Sequence, residues 1–589
     1  MSRLYPSTVA GKTLRWLLTI EWGGLVIRLS DDQVDVERAD GTWLQYDGGL
    51  QSVDVSEAIS LTGDSVGQLS IPLEFFAPPG QSIAERIGRG DDFSAARGEL
   101  ARWVEGSTYE ERRVVLVGRL ADPEYGSDDE PISASLEEAL AEDAALVPAS
   151  TAVVSTDTWP EADSLSDAWI GTVYPIIIGR PGSVSTDIGP QGWVPASPGL
   201  WADRRDDFQV ARATYHPDIT SGLILVVAGH HVSATRVYLN TDIDTTGIRA
   251  PVLNGFDLRG QPIAFVPWYG SLNTAGIDPY EYDTSANYDD QINDSDGGIA
   301  YGLGSVDIDD SYQAPEQYPV FVGWYDPLTT GGGLEAGGRL TREAGDVLEY
   351  LLGLSTLTVD RGRLAAAKPM LSRFLLDGCI SARVSPWEVL RDEILPLLPV
   401  SIVSGPAGLY PVVWRYDARP EQATHVIDAD ADPSIERDGR IIYDSSDRAN
   451  QITVEYAYSY RRQVHAGSLR LGAEGDEGAT VHPLCSWSRA RTGRVLDRTI
   501  SSVWIYDTST AYAVAEWQAA AYCLPTRTVA YRLPEAEFVT IERGDVVRVT
   551  DSTVYLSDAV ALVREVRTDG TGYLTATLQL LDSPLVRAG

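Results

Sequence analysis

Lysine is nearly missing from this chain: Lys12 and Lys368 are its lysines, and arginine supplies the rest of its 46 basic residues. An arginine-dominated cationic set suits planar ion pairs at interfaces. Positive charge as a whole is scarce. The 46 Lys+Arg stand against 85 Asp+Glu, a formal net charge of −39. That balance argues against nucleic acid as a directly gripped ligand, because phosphate contacts need neutralising cations. It does suit a surface past which DNA moves without adhering. Cysteine is also scarce: Cys379, Cys485 and Cys523 are odd in number, widely spaced, and at no metal-ligand spacing. This argues against a disulfide framework and for assembly in a reducing compartment. No run of 18 apolar residues occurs, so no transmembrane helix is expected. Met1-Ser2-Arg3-Leu4-Tyr5-Pro6 lacks the apolar segment of a secretory signal. The expectation is a soluble chain made in the cytosol.

What is present is enough to build several cores. At 589 residues the chain has room for about three to five domains. An apolar content of 43% with 9% aromatics is that of a globular protein. Four segments are read along it: 1–142, 143–335, 336–435 and 436–589. In the first, Leu14–Trp22 and Leu25–Leu29 flank Gly23-Gly24 as a hairpin. Strands follow at Ser52–Ile59, Gly67–Phe75 and Arg112–Leu120, with a short helix at Ile83–Gly88 capped by Ser82. Residues 127–158 read as an Asp/Glu/Ala/Ser-rich linker, with Leu136-Glu137-Glu138-Ala139-Leu140 helical in flavour.

The second segment is rich in strands and loops. Val173–Gly179 contains a buried strand, Leu223–Ala228 and Ala234–Leu239 straddle Gly229-His230-His231, and further strands lie at Ile263–Trp268 and Val320–Trp324. The third is mostly helical. Thr341 is expected to cap Ala344–Leu352, and Pro386 opens a helix that aligns Trp387, Leu390 and Ile394. The fourth opens with the turn-rich Tyr443–Arg448, then alternates: Ile452, Val454 and Tyr456 fall on one face, Thr453 and Glu455 on the other. A helix is expected from about Thr508, with Thr or Ser as its cap, Val514, Trp517, Ala521 and Leu524 as its apolar stripe, and Pro525 as its stop. Strands resume at Thr528–Leu533, Val546–Thr550, Ala559–Val566 and Tyr573–Leu580. One helix beside several antiparallel strands describes a small α+β barrel or sandwich.

The order of elements in this last segment resembles a known family. Asp444-x-x-Asp447-Arg448-x-Asn450-x-Ile452-x-Val454-x-Tyr456, an Ala-rich helix, and Arg543-Gly544-Asp545-Val546-Val547-x-Val549-Thr550 with a closing strand are similar to phage tail hub proteins. Arg102-Trp103-Val104-Glu105-Gly106 and the following strand resemble the first tube-like domain of such hubs. The stretches Thr341–Asp360 and Ser385–Ser401 resemble their middle. The fold class implied is α+β, mainly β, and multidomain. Two tube-like β-barrel or sandwich domains lie at the ends, with a loop-rich β segment and a small helical segment between. The resemblance implies a virion structural protein at the distal end of the tail tube, working as a homotrimer in which two tube-like domains per chain meet a hexameric tube. Its implied partners are the tail tube or distal tail protein, tail fibre or receptor-binding proteins, and a tape measure protein, with genome DNA passing through unread.

A search for chemistry yields no catalytic, cofactor-binding or metal-binding residue. Gly11-Lys12-Thr13 has Pro6 where a phosphate loop needs glycine, and Gly302-x-Gly304 lacks the third glycine of a dinucleotide loop. His230-His231 would point to opposite faces of a strand. His482 and Cys485 read as parts of a Pro-containing loop with nothing to depress a thiol. Asp278–Asp310 is strongly acidic, but Ile292 stands where an EF-hand needs its first acid, leaving a surface excursion, an interface loop or an unrelated cation site. The alternative function is glycan binding or hydrolysis, which 15 Trp, 28 Tyr and many carboxylates could serve. No acid pair can be nominated for it, and Trp16, Trp22, Trp103, Trp387 and Trp517 read as core anchors.

Overall fold

The computed structural model describes residues 13–53, 55–58, 70–78, 80–93, 96–126, 130–137, 146–155, 171, 173–179, 208–209, 211–214, 223–232, 236–240, 248–251, 253–256, 259–268, 321–324, 335–336, 339–355, 358–405, 408–459, 464–568 and 572–581. Gly11, Lys12, Gly302, Gly304 and all of Asp278–Asp310 lie outside them. The protein is mainly β, with several sheets and a smaller helical share.

Leu14–Trp22 buries Trp16, Leu18, Ile20 and Trp22 at every second position, the period of a strand with one face on a core. It turns at Gly23 and Gly24, whose φ of +54° and +81° are those a two-residue hairpin of the I′ type demands. Seven antiparallel strands make this N-terminal sheet. Their order is Leu25–Ser30, Leu14–Trp22, Arg97–Val104, Arg113–Glu124, Ile132–Glu137, Ser70–Phe75 and Leu50–Val53. Its core is closed by Ile83 and Phe93, and the helix Ile83–Gly88 is capped as expected, Ser82 Oγ accepting from the Glu85 amide at 2.9 Å. Leu136 and Glu137 are not helical. They end the strand Ile132–Glu137, where pairing with Ser70–Phe75 overrides local propensity.

A second seven-stranded sheet is built mainly from the far end of the chain. Its order is His425–Asp428, Val546–Asp551, Leu556–Thr568, Tyr573–Leu580, Thr526–Pro534 and Glu436–Asp444, with Val55–Ala58 added beside Leu556–Thr568. The first pair is parallel and the others antiparallel. Ile427, Val529, Tyr531, Val547, Val549, Val563 and Leu578 fill its core. The buried Asp551 carboxylate accepts from Tyr531 Oη at 3.0 Å and from Arg437 at 2.9 Å, so its burial is compensated. Among the described residues between Phe208 and Trp324, strands form two four-stranded antiparallel sheets.

The third core gathers the helices. Ala344–Leu354, Arg361–Leu371, Pro386–Ile394, Pro483–Thr492 and Thr508–Tyr522 pack Val347, Leu351, Leu371, Leu390, Ile394, Val514 and Trp517 against Ile452, Val454 and Trp504. The strand Gln451–Ser459, with its expected alternation, therefore serves this core together with Val464–Gly472, while Thr526–Leu580 serves the sheet. Capping differs from expectation at two helices. Thr341 is buried but not a cap; Glu343 holds that position, and its side chain makes no capping bond to the helix amides. The helix Thr508–Tyr522 is capped by Asp507, whose Oδ1 accepts from the Thr510 amide and whose Oδ2 accepts from Thr510 Oγ1, both at 2.8 Å. Asp507 also lies 3.7 Å from Arg342, which chelates the buried Asp377. Asp507→Ala is expected to lower stability by about 1–2 kcal/mol, read as a lower urea midpoint at unchanged slope.

Candidate functional site

The structure places His230 against the backbone of Ile177 and buries His482 and Cys485. Gly229-His230-His231 is a bend after Leu223–Ala228, not a strand. His230 Nε2 accepts from the Ile177 amide at 3.0 Å and its Nδ1 lies 2.9 Å from the His231 carbonyl, so the ring staples two backbones. Burial, set against these bonds, holds its pKa below the usual histidine value. His482 and Cys485 are not in a loop: Pro483 is the first residue of the helix Pro483–Thr492, and Cys485 is fully buried in its first turn. Among the described residues no three His, Cys, Asp or Glu side chains are placed to hold a metal ion. Trp16, Trp22, Trp103 and Trp517 are buried and Trp387 is half-buried, so these rings are packed into the protein and not displayed as a sugar platform.

The most constructed feature is a seam between the two seven-stranded sheets. Leu50–Val53 pairs with Ser70–Phe75 in the N-terminal sheet. Val55–Ala58 then pairs antiparallel with Glu565–Thr568 in the C-terminal sheet. One stretch of nine positions thus contributes a strand to each. Beside it Arg102, on Arg97–Val104, meets Glu535, first residue of the helix Glu535–Phe538, through two parallel bonds of 2.6 Å. The side chains are only 5% and 3% exposed, and the Arg102 guanidinium stacks 4.6 Å from the centre of the Trp16 ring. A planar, doubly bonded and stacked cation is a role lysine cannot fill. Arg113 adds a 2.6 Å bond to the Val539 carbonyl. The sequence offered no local sign of this seam, since Arg102 and Glu535 lie 433 positions apart.

The outer faces carry the rest. Glu436–Asp444 is an edge strand, exposed along most of its length, and it presents Ile442 and Tyr443 at 65% and 62% exposure. Its charged residues and the register shift between Asp438 and Ile442 are devices that discourage indiscriminate pairing of a free edge. Tyr555, 95% exposed at φ +61°, stands at the tip of the neighbouring Ser552–Val554 turn. What this arrangement does best is hold two sheets in one fixed relation, with the Glu436–Asp444 edge and Tyr555 left exposed.

No family model matches the chain, and no curated protein matches it in sequence. Among solved structures it is similar to the tail protein from Neisseria meningitidis, at 11% identity over 96% of each chain with a TM-score of 0.36. It is similar to the tail protein of prophage MuSo2 from Shewanella oneidensis, at 10% identity over 96% of this chain and 98% of that one, TM-score 0.30. A prophage tail protein from Listeria monocytogenes matches at 6% identity over 93% of this chain and 94% of that one, TM-score 0.29.

Proposed function

We propose that this chain is a structural hub of a phage tail, set at the distal end of the tail tube, where it closes the tube and anchors tail-tip or receptor-binding components. The observation that carries the proposal is the seam: two seven-stranded sheets from opposite ends of the chain are locked by a shared strand stretch and a buried ion pair. A ring subunit that offers two tube-like modules to a tube of higher symmetry needs them held in register. The motif order in Asp444–Tyr456 and Arg543–Thr550 supports the same reading. In this proposal the chain forms a homotrimer, and closing the ring covers free sheet edges such as Glu436–Asp444. The loop-rich middle segment faces fibre or receptor-binding proteins, the tape measure ends at the ring, and the acidic balance lets DNA pass without adhering. Its work is assembly, with no turnover.

The test is native mass by light scattering, alone and with purified tube protein. The expected result is a species of three chains, or one that forms when tube protein is added. A monomer indifferent to tube protein overturns the proposal.

A further inference from the structure

The helix Pro483–Thr492 lies across the end of Thr508–Tyr522, and their contact brings two cysteines together. Cys485, in the first turn of the former, and Cys523, the residue that ends the latter, stand with Sγ atoms 3.7 Å apart, and both are fully buried. That is van der Waals contact, about 1.7 Å longer than a disulfide bond. The two sulfurs are unjoined. We infer that Cys485 and Cys523 are a latent redox staple, a thiol pair that closes to a disulfide and pins the helix Pro483–Thr492 to the core helix when the protein meets a disulfide-bearing oxidant.

The surroundings assign the two sulfurs different roles. The contact with Cys523, and His482 at the head of the helix, lower the Cys485 thiol against the opposing effects of burial and Asp476, and its place in the first turn of the helix also favours a thiolate. The same contact and burial push Cys523 up. Cys485 is therefore the attacking thiolate. It attacks one sulfur of a small-molecule disulfide of the glutathione class, breaking that S–S bond and releasing one thiol, which takes up a proton. Cys523 then gives up its proton and attacks the Cys485 sulfur of the mixed disulfide, expelling the second small thiol. The two protein thiols lose two electrons in all, and the oxidant gains them as two thiols.

Access comes from the helix itself. Pro483, Ala490 and Arg491 are exposed on its outer side, and a surface helix of ten residues opens locally far more often than the whole core unfolds. The bond would close a loop of 38 positions, and a cross-link of that span restrains the unfolded chain substantially.

The test uses the full-length chain held in dithiothreitol or in a buffer dominated by oxidised glutathione. It is followed by alkylation under denaturing conditions and peptide mass mapping. The expected result is a Cys485–Cys523 cross-linked peptide, the loss of two hydrogen masses from the intact chain, and a melting transition higher by roughly 3–6 °C that dithiothreitol reverses. Cys485→Ser and Cys523→Ser should each abolish the shift, and Cys379→Ser, in the separate strand Gly378–Ile380, should leave it intact. Overturning results are both cysteines still fully alkylated after oxidation, stable glutathione adducts without a cross-link, or a cross-link that involves Cys379. Because Cys379→Ser and the wild type are compared in their folded state, a folding defect in either serine variant does not decide the matter.

Discussion

Replacing Arg102 by alanine is expected to destabilise the joint between the two large sheets by about 3–5 kcal/mol. The reason is the carboxylate left behind. Glu535 is 3% exposed and takes both of its bonds from one guanidinium, so removing Arg102 strands a charge where water cannot reach it. Glu535→Ala should cost a similar amount from the opposite side, because the buried Arg102 guanidinium keeps its stack on Trp16 but loses this carboxylate. The double replacement Arg102→Met with Glu535→Leu should recover most of the loss, because two apolar side chains do not need each other. Hydrogen exchange gives the most direct reading. The amides of Val55–Ala58 should lose protection in the single variants and regain it in the double one. Equal protection in all three would mean that the shared strand alone holds the joint.

The second large effect is expected at Trp504. This ring is the largest of the fully buried side chains among the described residues, and it sits where the helical core meets the strand Gly378–Ile380. The Asp377 amide donates to the Trp504 carbonyl at 2.9 Å, and a Cβ at Gly378 would fall inside the indole. Trp504→Ala should therefore cost about 3–5 kcal/mol from the cavity it leaves. Gly378→Ala should cost about 1–3 kcal/mol from overpacking. Their combination should cost clearly less than the sum, with a coupling of about 0.5–3 kcal/mol, because the methyl fills part of the vacated space. Thermal unfolding of the four proteins of this cycle measures it, and strict additivity would show that the two do not share the space.

Local signals were legible where the physics is local. Gly23-Gly24 predicts its hairpin because both positions need positive φ, and Ser82 and Pro386 predict helix starts because a capping hydroxyl and a missing N–H belong there. The alternation of Ile452, Val454 and Tyr456 predicts a strand, and the strand is there. Pro483 misled by the same rule that Pro386 obeyed. Read as a loop breaker it hides the helix it opens, and with it the burial of Cys485. The helix Arg361–Leu371 has a clear cap in Asp360, which accepts from the Gly362 and Arg363 amides, but Pro369 near its end disguises it. Leu136 and Glu137 look helical until a strand more than sixty positions upstream pairs with them. The seam and the thiol pair were invisible for a simpler reason: nothing in a one-dimensional string places Arg102 beside Glu535, or Cys485 beside Cys523.

The strand stretch that serves both sheets also sets a timetable. At about 5–20 residues per second, Val55–Ala58 leaves the ribosome roughly half a minute to two minutes before Glu565–Thr568, the segment it pairs with. Through that interval the chain carries an unpaired backbone next to a sheet that is already complete in sequence by Glu137. Synthesis of Glu565–Thr568 relieves it. A nascent chain stopped before Leu556 keeps an open strand available to chaperones and proteases, and one that has passed Thr568 can cover it.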